Sequence, residues 1–297
     1  MTNSPDFIIG GAAKSGTTSL SRYLNAHSEI FLPHSELNFF PFCEKQPDYD
    51  VLQRPIVSDF QIYSSYYHES NARVKGEKSV SYLYKGLYRQ TIHNILKYHP
   101  SGKKVKMIFL LRDPIDRAWS QYMHNLNIYE SLPFQQAIEA WPDRANKKWV
   151  PAFDYLGAGL YYESLSSYFN HFDQVKVYLF ESLKTNADWL LQDVFDFLEV
   201  ENEQLTNSTI RYNTSQIPNG NTSRLCYNTL FHNPVAQGLK KTLSNENQVR
   251  VKDFITSFSH HKPALPEETR QQFLPWFRDD IEKLQGLIQR DLGKWLI

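Results

Sequence analysis

The chain has 297 residues, room for one large α/β domain or two smaller ones at the usual ~100–200 residues per domain. Its 19 Phe, 18 Tyr and 6 Trp, with charged residues held to 22%, exclude a disordered chain and a coiled coil. Lys and Arg number 32 and Asp and Glu 32, so bulk positive charge does not coat nucleic acid here, and any anion must be held by a local cluster.

The first element in chain order is Phe7-Ile8-Ile9, a short β-rich run ended by Gly10-Gly11. Phe7 to Ala13 has the length of a short signal-peptide core, but the residues before it carry Asp6 and no Lys or Arg, so it is expected to be a strand. Thr17 to Ala26 then places Leu20, Tyr23 and Leu24 at helical spacing. Phe42 to Tyr67 is rich in aromatic residues, Pro and Asp without a period and reads as a long loop, of the kind that is more often functional than idle. The rings from Phe39 to Tyr67 suggest stacking on a sugar or an apolar chain, although aromatics more often fill a core.

Val105 to Leu111 is an apolar run typical of a strand buried on both faces. Asp113 follows as an N-cap with Pro114 at the first helical position, predicting a helix from Pro114 to about Asn125. The pattern returns at Val175 to Phe180, with a helix near Ala187 to Leu198. Strands alternating with helices predict an α/β fold with a mainly parallel sheet and right-handed crossovers. Asn202 to Asn228 is a second long loop with sequons at Asn207, Asn213 and Asn221, matches expected by chance in such a composition. From Pro266 onward Phe273, Phe277, Ile281, Leu284 and Ile288 recur at helical spacing. The longest purely apolar run, Met107 to Leu111, is far short of the ~20 residues that span a bilayer. Cys43 and Cys226 form neither a disulfide framework nor a zinc pattern, so the expected compartment is the cytoplasm.

Gly11-Ala12-Ala13-Lys14-Ser15-Gly16-Thr17-Thr18 ends the first strand and opens the first helix, where unpaired N–H groups and the helix dipole favour an anion. A nucleoside-triphosphate loop would read GxxxxGK[ST]; here the lysine lies inside the loop at Lys14. The string Lys14-Ser15-Gly16-Thr17-Thr18 resembles that of the sulfotransferases that use 3′-phosphoadenosine 5′-phosphosulfate, in particular the carbohydrate-type and bacterial enzymes. The resemblance covers about the first 200 residues and implies a P-loop-like three-layer fold. It also implies that Lys14, Ser15, Gly16, Thr17, Thr18 and Ser19 wrap the 5′-phosphosulfate, with Lys14 at the leaving oxygen.

Arg112-Asp113-Pro114-Ile115-Asp116-Arg117-Ala118-Trp119-Ser120 follows the second predicted strand, at the sheet edge where open α/β folds bind ligands. It is similar to the family's 3′-phosphate motif, which assigns Arg112 and Ser120 to that phosphate. The structural alternative for Arg112 is a salt bridge to the following carboxylates, and that is the expected role of Arg117. The family closes its nucleotide site with a basic loop near Asn202 to Asn228, so Arg224 is expected to reach the 3′-phosphate.

Sulfuryl transfer requires the acceptor to lose a proton, so a general base must stand near Lys14. Ser35-Glu36-Leu37-Asn38-Phe39-Phe40 resembles the Glu-x-x-Phe-Phe segment of these enzymes, which makes Glu36 the expected base and His34 the runner-up. Gly76-Glu77-Lys78-Ser79-Val80-Ser81-Tyr82 resembles a third segment beside the transferring group, with Val80 where proline is frequent. It adds Lys78 as a catalytic cation that stabilises the sulfuryl oxygens or orients Glu36. Glu181 occupies another recurrent position and reads as structural, ending the third strand.

Together these features predict one sulfotransferase domain over residues 1–297, with a nucleotide core at about 5–200 and a closing loop and C-terminal helices at about 201–297. The expected product nucleotide is 3′,5′-diphosphoadenosine, and no metal is required. The acceptor is expected to be a hydroxyl or amine of a glycan, lipid, small metabolite or carrier-bound chain, not a nucleic acid. A P-loop kinase is the first alternative, opposed by the displaced lysine and the absence of a clear magnesium-binding Asp pattern. A non-catalytic nucleotide-binding module is the second, and it would give Glu36 no role.

Overall fold

The computed structural model describes residues 4–49, 56–126, 129–203, 217–218, 260–261 and 263–297. Five strands, β1 (Phe7–Gly11), β2 (Ile30–Phe31), β3 (Val74–Lys78), β4 (Lys106–Leu111) and β5 (Val175–Leu179), form one sheet in the order β2-β3-β1-β4-β5. Every pairing in it is parallel. A separate antiparallel pair joins β6 (Ile217–Pro218) to β7 (His260–His261).

The helices among the described residues begin with α1 (Thr17–Leu24), α2 (Phe60–Ser65), α3 (Tyr88–Tyr98), α4 (Pro114–Asn125) and α5 (Phe134–Glu139). They continue with α6 (Trp141–Asn146), α7 (Tyr162–His171), α8 (Phe180–Thr185), α9 (Ala187–Leu198) and α10 (Glu267–Ile288). None is long and apolar enough to cross a membrane. Both α4 and α9 have the limits their sequences predict. Asp113 caps α4 by accepting the Ile115 and Asp116 N–H groups at 2.9 Å each, and Asn186 caps α9.

Alternation along the strands explains the three layers. Ile8, Met107, Phe109 and Leu111 face α3, α7 and α10 through Ile92, Ile95, Leu165, Tyr168, Phe277 and Ile281. Phe7, Ile9, Ile108 and Leu110 face the other way, onto Leu20 and Leu24 of α1 and Leu190, Val194 and Phe195 of α9. The middle of β4 is therefore buried on both sides, as its unbroken apolar run requires. Gly76 is obligatory in β3, since a Cβ there would come within 2.2 Å of the Phe7 ring.

Two expectations change. The aromatic stretch from Phe42 to Tyr67 is not all loop: α2 lies within it, and Phe39, Phe40, Phe42, Tyr63 and Tyr67 are buried as core. Phe39 and Tyr63 stack with centroids 4.1 Å apart, so those rings are already committed to packing. Phe60, Ile62 and Tyr66 stay exposed. Glu181 does not end the third strand: β5 stops at Leu179 and the chain turns at once into α8, with Glu181 in its first turn.

Candidate active site

β1 lies between β3 and β4, so the segments leaving the carboxyl ends of these three strands converge at one edge of the sheet. The loop after β1 is pinned there by Ala12 N–H, which donates to the Leu110 carbonyl at 2.8 Å. Lys14 and Gly16 adopt positive φ angles of 66° and 90°, turning the chain sharply into α1. A Cβ on Gly16 would stand 2.9 Å from both Leu183 Cδ2 and Phe180 Cδ2.

The N-terminus of α1 carries no side-chain cap and no acidic residue in its first turn. Its first N–H groups are left for an anion, and the helix dipole adds to that preference. Ser15 Oγ is buried without a hydrogen-bond partner among the described residues, a polar atom left over in the turn predicted to wrap a phosphate. Thr17 and Ser19 are buried beside it, while Lys14, Gly16 and Thr18 are partly open. These features fit a phosphate-bearing ligand.

Arg112 leaves β4 and reaches this loop: Nη1 donates to the Lys14 carbonyl at 3.4 Å, and the guanidinium lies 5.0 Å above the Phe180 ring. Its contact with Asp116 is long, also 3.4 Å. The stronger claim on the carboxylates is that of Arg270 of α10, which reaches Asp113 Oδ2 at 2.9 Å and Asp116 Oδ1 at 2.6 Å. The salt bridge expected of Arg117 is therefore made by another residue. Arg117 is instead fully buried and donates to the Tyr155 carbonyl, with Nε and Nη1 lacking partners among the described residues. Ser120 is buried two turns along α4. Arg224 and the Asn207, Asn213 and Asn221 sequons lie outside the described residues.

On the other side of β1, Lys78 ends β3 opposite Ile9. Its Nζ lies 3.2 Å from Glu36 Oε1, and the two side chains are 6% and 12% exposed. Neither is the solvated surface group that its local sequence also allows. His34, by contrast, is exposed. The chain thus brings Glu36, Lys78, Lys14 and Arg112 to segments at the carboxyl ends of four adjacent strands, β2, β3, β1 and β4. A carboxylate that can accept a proton stands beside cations that can stabilise a developing negative charge.

Some site-forming residues escaped sequence reading. Arg270 has no local signal, since its partners lie 157 and 154 residues away in the chain. Tyr161 donates its hydroxyl to the Arg112 carbonyl at 3.0 Å, and burial raises its phenol above the ordinary range. Its N–H and that of Tyr162 donate to Asp280, whose carboxyl burial pushes up to about 6. Among the described residues no group of three or more His, Cys, Asp or Glu is arranged to hold a metal ion.

Residues 4–287 match the sulfotransferase domain family. The bifunctional heparan sulfate N-deacetylase/N-sulfotransferase 1 of Xenopus tropicalis is 28% identical over 222 residues, covering 70% of this chain and 24% of that protein. The membrane-associated sulfotransferase kil1 of Dictyostelium discoideum is 32% identical over 138 residues, covering 46% of this chain and 26% of its own length. The chain spans about a quarter of the length of these curated relatives. Among solved structures, a sulfotransferase from Alicyclobacillus acidocaldarius superposes with a TM-score of 0.73 at 25% identity, covering 98% of each chain. Mouse sulfotransferase SULT7A1, complexed with PAP, shares the fold at a TM-score of 0.51 and 13% identity, covering 96% of this chain and 87% of that one.

Proposed function

The chain belongs to the sulfotransferase domain family, and on that premise we propose that it moves a sulfuryl group from 3′-phosphoadenosine 5′-phosphosulfate to a hydroxyl or amine acceptor. The observation that carries this reading is the cluster at one sheet edge: the Glu36–Lys78 pair after β2 and β3, Lys14 after β1, and Arg112 after β4. The donor supplies an activated sulfuryl group on a phosphate leaving group.

In this reading Lys14 and the open N–H groups of α1 hold the 5′-phosphosulfate, and Lys14 steadies the charge that grows on the leaving oxygen. Arg112 and Ser120 hold the 3′-phosphate. Glu36 accepts the acceptor's proton as the oxygen or nitrogen attacks sulfur in line. Lys78 keeps the Glu36 carboxylate in place and faces the sulfuryl oxygens. Arg224 would add a cation from the closing segment. None of these roles needs a metal ion, so turnover is expected to survive chelation with EDTA. A glycan, lipid, small metabolite or carrier-bound acceptor and a cytoplasmic site of action complete the proposal.

The test is a calorimetric titration with 3′,5′-diphosphoadenosine, ADP, AMP and ATP. Binding of 3′,5′-diphosphoadenosine at least tenfold tighter than AMP supports a dedicated 3′-phosphate site; tighter magnesium-dependent binding of ATP would overturn the reading. An acceptor screen with labelled donor then identifies the second substrate.

A further inference from the structure

Glu77 is fully buried in β3, next to Lys78, and the proposed chemistry gives it no task. Its Oε1 accepts the Ser79 hydroxyl at 2.6 Å and the Tyr82 hydroxyl in a shorter bond, while Oε2 accepts the Tyr63 hydroxyl at 2.6 Å. The hydroxyls of Ser79 and Tyr82 have second roles. Ser79 Oγ accepts the Asn38 N–H at 2.9 Å, and the Tyr82 hydroxyl oxygen accepts the Phe40 N–H at 3.3 Å.

The direction of each bond follows from proton counting. An amide N–H can only donate, so each hydroxyl oxygen accepts from the loop and its single proton points at Glu77. Two parallel chains therefore run from the loop backbone through a hydroxyl to one carboxylate. A hydroxyl that donates to a charged acceptor becomes a better acceptor itself, which strengthens its bond to the loop amide. Asn38 is held at φ 50°, a left-handed conformation that costs a non-glycine residue energy and persists when its surroundings fix it. Ser81 Oγ donates to Asn38 Oδ1 at 2.5 Å, and Asn94 Nδ2 donates to the Phe40 carbonyl at 2.7 Å, closing the frame. Glu36 lies two residues before Asn38 and meets Lys78, the neighbour of Glu77. Adjacent strand residues point to opposite faces, so one strand end carries both the partner of the base and the anchor of the loop that bears it.

We propose that Glu77 is a positioning residue: through the Ser79 and Tyr82 hydroxyls its carboxylate fixes the Asn38 and Phe40 backbone and thereby the placement of Glu36 against Lys78. This rests on Glu36 being the base. Burial raises the Glu77 carboxyl above the ordinary range, and the three hydroxyls partly offset that cost.

The test uses Glu77→Gln, which keeps the shape and removes the charge, with Tyr82→Phe as a milder variant that deletes one hydroxyl. Amide hydrogen exchange resolved by residue is the direct readout. In Glu77→Gln, exchange at Asn38 and Phe40 should rise about tenfold while amides of β1 and β4 keep their protection. In Tyr82→Phe the rise should be confined to Phe40. The functional readout needs no acceptor: hydrolysis of the labelled donor by water, releasing sulfate and 3′,5′-diphosphoadenosine, should slow about tenfold in Glu77→Gln, with 3′,5′-diphosphoadenosine affinity within about twofold of wild type.

Unchanged exchange at both amides in folded Glu77→Gln overturns the proposal, and so does unchanged exchange at Phe40 in Tyr82→Phe if Glu77→Gln fails to fold. Faster exchange with an unaltered hydrolysis rate also overturns it, since the network would then be only structural. The base assignment fails separately, by normal hydrolysis in Glu36→Gln with both amides still protected.

Discussion

Removal of the Arg112 guanidinium tests the donor site most directly. In the free protein that group holds little on its own account. Its contacts with Asp116 and the Lys14 carbonyl are both 3.4 Å, at the outer limit of a hydrogen bond, and its best neighbour is the Phe180 face at 5.0 Å. Arg112→Ala should therefore lower folding stability by only about 1 kcal/mol. With a 3′-phosphate bound as proposed, the same group should make a charge-assisted hydrogen bond worth about 1.5–3 kcal/mol, equivalent to a ~10- to 150-fold loss of affinity in the variant. AMP lacks that phosphate and should weaken by less than about threefold. Calorimetry at fixed ionic strength measures both nucleotides, and thermal unfolding checks that the fold is intact. Equal weakening for AMP and 3′,5′-diphosphoadenosine would refute the assignment of Arg112 to the 3′-phosphate.

Glu36→Gln should leave nucleotide affinity nearly intact and lower turnover by ~10²- to 10⁴-fold, the usual loss for a general base; near-normal turnover on the identified acceptor would shift attention to the exposed His34. Lys14→Ala should weaken both donor binding and turnover if, as proposed, one ammonium meets the ground-state phosphosulfate and the charge growing on the leaving oxygen; a change in only one of them argues against that double role. Gly16→Ala combines a φ of 90° with a Cβ 2.9 Å from Leu183 and Phe180 and should cost about 2–4 kcal/mol, read as a lowered urea midpoint. For Asp280, burial raises the carboxyl in the folded chain from 3.8 to about 6, so its contribution to stability is full below pH 4 and is lost as pH rises through 6. Relative to Asp280→Asn, the wild type should lose about 1–3 kcal/mol of unfolding free energy between pH 4 and pH 7.5, and a pH-independent difference would contradict the burial of this group.

The half proposed to bind the donor nucleotide is written in local patterns. An unbroken apolar run too short for a buried helix fits a strand covered on both faces, which is what Met107 to Leu111 become. Asp113 with Pro114 starts a helix because a carboxylate accepts the free N–H groups and proline needs no donor there; both ends of α4 follow the sequence. The lysine and glycines after Phe7 to Ile9 mark a turn into a helix whose N-terminus has no side-chain cap and no acidic residue in its first turn, an arrangement that favours an anion. Each of these depends on neighbours within a few residues, so the chain order alone contains them.

The acceptor half is different. Val74-Lys75-Gly76-Glu77-Lys78 has no apolar alternation and does not read as a strand, yet it is the inner strand between β2 and β1. Glu77 is buried there only because Tyr63, Ser79 and Tyr82 converge to supply hydroxyls. Glu36 and Lys78 become a pair because strand order places their segments side by side, and Arg270 takes Asp113 and Asp116 because α10 returns across the sheet. Lys78 and Glu77 would each be too costly to bury alone; Glu36 reaches Lys78 from the segment after β2, and Tyr63 joins the nearby Ser79 and Tyr82 on Glu77, only once the sheet has assembled.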